Sequence, residues 1–190
     1  MPSDLNVAVL VGSLRKASFS RRLAEALLKL APEGMTGELV AIGTLPLYNQ
    51  DFDDEGAPPP AWVSFRDTVR PKDAVLFVTP EYNRSVPGVL KNALDVGSRP
   101  YGKSVWNAKP AAVVSASPGA IGGFGANHHL RQSLVFLNMP VLQQPEAYVG
   151  QVADLVADDG SVTRENTREF LRGLMAAFDR WARLTRQLPG

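Results

Sequence analysis

Residues 5–20 read LNVAVLVGSLRKASFS: an apolar run from Leu5 to Val11, a polar turn beginning Gly12-Ser13, and the opening of an amphipathic stretch. The run is rich in Val, Leu and Ala and lacks a strict polar alternation, as expected of a parallel strand covered on both faces. After it, Leu23, Ala24, Leu27, Leu28 and Ala31 recur at helical spacing and mark one apolar face. Strand, short loop and helix in this order form the first unit of a parallel α/β sheet.

The same alternation continues outward from this unit. Short apolar runs at Glu38–Ile42, Ala74–Val78, Ala111–Val114 and Val141–Leu142 predict four further strands. Between them, Pro87 followed by Val89, Leu90, Ala93 and Leu94 suits the first turn of a helix, where the missing N–H has no intrahelical partner. A helix is predicted over Asn127 to Leu137, and a longer one from Phe170, Leu171, Leu174, Met175, Phe178, Trp181 and Ala182. Asp51–Pro60, polar and proline-rich, reads as a surface loop. Five parallel strands with right-handed crossovers make a doubly wound, three-layer α/β domain, and the whole of 1–190 is expected to be that single domain.

Composition removes several function classes. The chain has no cysteine, and its two histidines, His128 and His129, are adjacent, so thiolate chemistry, disulfides and a spaced zinc ligand set are all excluded and no metal is expected. With 20 basic and 19 acidic residues scattered along the chain, nucleic acid is not an expected partner. The mild cluster Arg180, Arg183 and Arg186 reads as a solvated helix end. No apolar run approaches the ~20 residues that span a bilayer, and Met1 to Asn6 lacks a basic leader, so the expected location is the cytoplasm with no membrane partner.

In such a sheet, ligands bind beyond the carboxyl ends of the strands. The loop after strand one offers the hydroxyls of Ser13, Ser18 and Ser20, the guanidinium of Arg15 and backbone N–H groups at a helix N-terminus, which together suit a terminal monophosphate. Neither G-x-G-x-x-G nor G-x-x-x-x-G-K-[ST] is present, so dinucleotide and nucleoside-triphosphate loops are unsupported. A plainer reading, in which Ser18 only caps the helix, stands beside it. After strand three, Pro80, Glu81, Tyr82, Asn83 and Ser85 form a proline-stiffened loop with an aromatic surface, fit for a flat heteroaromatic ring. After strand four, Ser117, Pro118 and Gly119 open a glycine-rich loop whose backbone can approach a ligand closely.

GSLRKASFS, PEYNRSVPGVLKNALD and SASPGAIGG, in this order over most of the chain, resemble the NAD(P)H-dependent FMN reductases, the group that includes chromate, quinone and azo-dye reductases. The resemblance implies a flavodoxin-like fold with sheet order 2-1-3-4-5 and noncovalent FMN. Ser13, Arg15, Ser18, Phe19 and Ser20 would surround the phosphate. Pro80, Glu81, Tyr82, Asn83 and Ser85 would line the isoalloxazine, with Ser117, Pro118 and Gly119 closing the other side and their N–H groups stabilising the reduced ring. NADH or NADPH would be the donor, and quinones, chromate, ferric complexes, azo compounds or free flavin the acceptors. Kinetics would be ping-pong with no catalytic side chain, the hydride chemistry belonging to the flavin. Ser20 replaces a frequent Asn, and Val96 a frequent aromatic that would reshape the pocket rim.

The resemblance also implies a homodimer or homotetramer, consistent with apolar residues on more than one side of Asn127–Leu137. His128, Arg131 and Glu146, the last placed after strand five, are candidate interface residues. Two alternatives remain at this stage: a flavodoxin-type electron carrier and a flavin-binding redox sensor. Near-neutral charge speaks against a carrier, because carriers are steered by strong acidity. A serine hydrolase is disfavoured because position 115 is Ser where the nucleophile elbow needs Gly, and no late histidine exists.

Overall fold

The computed structural model describes residues 4–186. Twelve elements follow in chain order: β1 (Leu5–Val11), α1 (Phe19–Lys29), β2 (Met35–Leu39), α2 (Gln50–Asp54), α3 (Pro60–Val69), β3 (Ala74–Thr79), α4 (Gly88–Gly97), β4 (Ala111–Ala116), α5 (Phe124–Phe136), β5 (Ala147–Val149), α6 (Val152–Leu155) and α7 (Glu165–Thr185). All five strands are parallel, in the order β2-β1-β3-β4-β5. This is the flavodoxin-like three-layer architecture.

Because side chains alternate across a strand, β3 divides its core between two layers. Ala74, Leu76 and Val78 face Leu23 and Leu27 of α1 and Leu171, Leu174 and Phe178 of α7. Val75 and Phe77 face Trp62 and Phe65 of α3, Leu90 and Leu94 of α4, and Leu130 and Leu134 of α5. Both faces of the sheet are therefore buried, which is why the central strands read as unbroken apolar runs.

The outer strands depart from the expected ranges. β2 runs from Met35 to Leu39 rather than over Glu38–Ile42, and Gly37 sits at its middle. A Cβ at Gly37 would lie 2.3 Å from the Leu28 side chain, so this glycine is where α1 packs onto the sheet. Val40 extends the pairing by donating to the Val9 carbonyl at 2.9 Å, and Ile42 is buried in the second layer. At the opposite edge, Val141 makes a single bridge to Ala111 and Leu142 donates to the Ala111 carbonyl. The chain then leaves the sheet and returns as β5 at Ala147–Val149, so Glu146 precedes the fifth strand rather than following it. α5 starts at Phe124, three residues earlier than expected, and Pro87 is the cap of α4.

Asp51–Pro60 is not a plain surface loop. It contains α2, and Asp53 forms a two-pronged ion pair with Arg66 at 2.8 and 2.7 Å, with both side chains almost fully buried. Arg66 also donates to the Val96 carbonyl and lies over the Trp62 ring. Two of the three C-terminal arginines are likewise engaged: Arg183 with Asp179 and the Gly34 carbonyl, and Arg186 with Asp73. Among the described residues, no helix is long and apolar enough to cross a membrane.

Candidate functional site

The strand order reverses between β1 and β3, and the helices that follow these strands go to opposite faces: α1 to one layer, α4 to the other. Their departing loops therefore part and leave a crevice at the carboxyl end of the sheet. Ser13, Arg15, Ser18, Phe19 and Ser20 from the first loop and helix, Pro80, Glu81 and Tyr82 from the second loop, and Ser117 and Pro118 from the third line one cavity of about 120 Å³. A second cleft of about 390 Å³, lined by Leu14, Pro87 and Val89, shares Arg15 and Tyr82 with it. Tyr82 is 46% exposed, an aromatic at a rim rather than in a core.

The hydroxyls of the first loop are set by their own hydrogen bonds. Ser18 Oγ accepts from the Arg21 N–H at 3.2 Å, as a helix cap does, and Ser13 Oγ accepts from the Arg15 N–H at 3.4 Å. A hydroxyl that accepts from the backbone retains its proton for another partner, so capping by Ser18 and ligand binding by Ser18 are compatible. Ser20 is 2% exposed, and its hydroxyl has no hydrogen-bond partner among the described residues. The Arg15 guanidinium likewise has no carboxylate partner among them, and the first turn of α1 contains no acidic residue. A cation, three hydroxyl protons and the unpaired N–H groups of a helix start converge on one small cavity. That donor set fits a phosphate dianion.

The third loop is held from behind. Val152 N–H donates to the Ser117 carbonyl and Gln151 N–H to the Gly119 carbonyl, at 3.2 and 3.1 Å. Gly122 has a φ of +66°, and a Cβ there would lie 2.5 Å from the Tyr148 backbone, so only glycine fits between loop and strand. The Ser117 hydroxyl donates to the Gly119 carbonyl and its N–H to the Val149 carbonyl. Pro118 has no N–H. Of the expected Ser117–Gly119 donors, only Gly119 N–H is uncommitted among the described residues; Ser117 contributes contact rather than a proton.

Asn83, Ser85 and Gly119 do not line the cavity. Asn83 sits in the turn beyond Tyr82, and Ser85 faces a separate groove of about 760 Å³ between α4 and α5, where it meets His129 Nδ1 at 2.8 Å. Val96 does not reshape the rim: it is fully buried in the second layer. Ala116 and Val152 line the cavity without having been expected to. Val152 follows β5, and placing that strand at Val141–Leu142 directs attention away from the residues after Val149.

Nor do the expected interface residues pair with one another within the chain. Arg131 donates to Asn127 Oδ1 and the Leu142 carbonyl, and His128 Nε2 meets the Tyr148 hydroxyl at 2.9 Å. Burial, followed by the Glu146 carboxylate, pushes the Tyr148 hydroxyl up to about 12.

A cavity rich in hydrogen-bond donors at the switch point of a 2-1-3-4-5 parallel sheet, beside a proline-stiffened loop with an aromatic rim, places the chain in the flavodoxin-like class. The sequence pattern describing the NADPH-dependent FMN reductases matches residues 5–154. A quinone reductase of Pseudomonas putida is 61% identical over 186 residues, covering 98% of this chain and 99% of that one. A 2-hydroxy-1,4-benzoquinone reductase of a Burkholderia species is 45% identical over 179 residues, covering 94% and 97%. Among solved structures, the flavoenzyme NAD(P)H:(acceptor) oxidoreductase FerB of Paracoccus denitrificans superposes with a TM-score of 0.89 at 44% identity, covering 95% and 98%. The chain belongs to the NADPH-dependent FMN reductase family.

Proposed function

We propose that this protein, a single domain over 1–190, binds FMN noncovalently and transfers electrons from NADH or NADPH to quinones. The observation that carries the reading is that Ser20, itself 2% exposed, lines the same small cavity as a carboxylate-free Arg15 at the N-terminus of α1. The cavity there is phosphate-sized, so the remainder of the mononucleotide lies in the open cleft bounded by the second and third loops. Arg15, Ser13, Ser18 and Ser20 hold the phosphate. Pro80 and Tyr82 offer the ring a flat apolar edge, and the Gly119 N–H supplies a fixed dipole where negative charge gathers on reduction. A bound FMN would supply the redox chemistry, carrying reducing equivalents between nicotinamide and acceptor, while these residues hold and orient it. Aside from Glu81, whose oxygens are already engaged, and Arg15, the cavity has no titratable side chain but the tyrosine at its rim, so the protein's part is binding, orientation and exclusion of water.

Quinone as the acceptor class is supported by the names of the relatives at 61% and 45% identity. Anaerobic titration of the purified holoprotein with NADH and NADPH, chased by benzoquinone, tests donor and acceptor together. Bleaching of the flavin by either nucleotide and recovery on adding quinone is expected; a flavin that neither nucleotide reduces refutes the proposal.

The active form is a homodimer or homotetramer in the cytoplasm. Phe136 and Val135 of α5 are 90% and 73% exposed, on the side away from Leu130 and Leu134. Phe136 borders the groove between α4 and α5, where the buried Tyr48 hydroxyl has no hydrogen-bond partner among the described residues. A second copy laid on this face covers both, with His128, Arg131 and Glu146 near the contact. Light scattering giving a 20.5 kDa particle at micromolar concentration refutes this assembly.

A further inference from the structure

The turn that follows Pro80 puts Arg84 in a conformation that arginine does not favour. Tyr82 and Ser85 exchange both backbone hydrogen bonds, at 3.1 and 3.0 Å, which leaves a two-residue turn between them. Both turn residues are left-handed, Asn83 at φ 51° and Arg84 at φ 63°. Such turns favour Asn-Gly, and arginine at the second position adds the Cβ strain that glycine avoids. A strained turn persists only when its surroundings hold it.

Here the holding is done by α5. This helix begins after Gly123 and has no side-chain cap of its own. Its Ala126 N–H instead donates to Glu81 Oε2 at 3.0 Å, so a carboxylate from a loop 45 residues away serves as the cap and meets the positive helix end. Glu81 Oε1 accepts from Arg84 at 3.1 Å, tying the strained residue to the same carboxylate, which is only 12% exposed. Ser85 adds its contact with His129, one turn further along α5. Gly125 permits the approach: a Cβ there would stand 2.9 Å from Glu81 Oε2 and 3.0 Å from the Arg84 carbonyl oxygen.

We propose that Glu81 is a positioning residue that pins the Tyr82–Ser85 turn to the N-terminus of α5, so that the backbone and ring of Tyr82 are in place before FMN binds. The inference rests on the FMN reading above. Both Glu81 oxygens already accept hydrogen bonds, so the carboxylate acts through the turn and leaves the phosphate to Arg15 and the serines.

The test compares Glu81→Ala, Glu81→Gln and Gly125→Ala with the parent. Amide exchange is followed in the flavin-free protein, and dissociation constants are measured for FMN and for riboflavin, which lacks the phosphate. Glu81→Ala is expected to speed exchange at Ala126, Tyr82 and Ser85 and to weaken both flavins by the same factor, about tenfold. The ratio of the two constants, which reports the phosphate, stays at the parent value. Glu81→Gln retains an acceptor for Ala126 and recovers most of the loss. Gly125→Ala wedges the turn from the helix and reproduces the equal loss, which keeps the question open to test if Glu81→Ala does not fold. Parental exchange and parental riboflavin affinity in Glu81→Ala overturn the proposal, as does a Gln variant as impaired as the Ala variant. A parent protein that binds neither flavin overturns the FMN reading instead, and the exchange data then still judge the pinning on their own.

Discussion

Replacing Arg15 by Ala is expected to weaken FMN binding while leaving riboflavin binding and the fold unchanged. Arg15 is exposed, and its guanidinium has no partner among the described residues, so its removal orphans no buried group and opens no cavity. What is lost is one charge-assisted hydrogen bond to the phosphate, worth roughly 1.5–3 kcal/mol, or about tenfold to over a hundredfold in affinity. Exposure and salt screening favour the lower half of that range. The effect is readable by thermal unfolding: at FMN one hundred times the parent dissociation constant, binding stabilises the parent by about 2.7 kcal/mol, and a thirtyfold weaker variant by about 0.9 kcal/mol. Fluorescence titration of the flavin-free proteins, at low and physiological salt, gives the constants directly. An unchanged FMN constant, or an equal loss for FMN and riboflavin, would show that Arg15 does not contact the phosphate and would refute the cradle.

Asp53→Ala leaves the Arg66 guanidinium buried without its carboxylate and should cost about 3–5 kcal/mol in urea unfolding. The double change Asp53→Ala with Arg66→Met should cost clearly less, and equal costs would mean that the pair is not what stabilises α2 against α3. For Tyr148, the hydroxyl proton is held more tightly in the folded chain, where the value is pushed up to about 12, than in the unfolded chain near 10. Its contribution is therefore fully present below pH 10 and lost as pH rises through about 12, because the folded state binds the extra proton in that window. Tyr148→Phe should flatten the stability profile between pH 10 and 12; a slope identical to the parent's places the titrating group elsewhere.

How far the sequence carried these conclusions follows from the range over which each feature is decided. β1 and α1 were legible because both periodicities lie within residues 5–31, and the grouping of Ser13, Arg15, Ser18 and Ser20 around one cavity because they are near neighbours in the chain. β3 and β4 were legible because burial on both faces leaves an uninterrupted apolar run. The edges of the sheet were not. Glu38–Ile42 looks like the second strand although the pairing begins at Met35, and Val141–Leu142 looks like a strand until the chain returns at Ala147. Asp53 reads as solvated because nothing near it in the chain announces Arg66, thirteen residues away. For the same reason Val152 entered the cavity unannounced, Val96 left the rim for the core, and Glu81 proved to cap a helix that begins more than forty residues later. Local patterning thus determined the strand–helix alternation and the clustering of hydroxyls and a guanidinium in the first loop. Which loops meet, which hydroxyl protons remain free, and which charges are already paired were decided only by the tertiary structure, because each depends on contacts between residues that the chain itself keeps far apart.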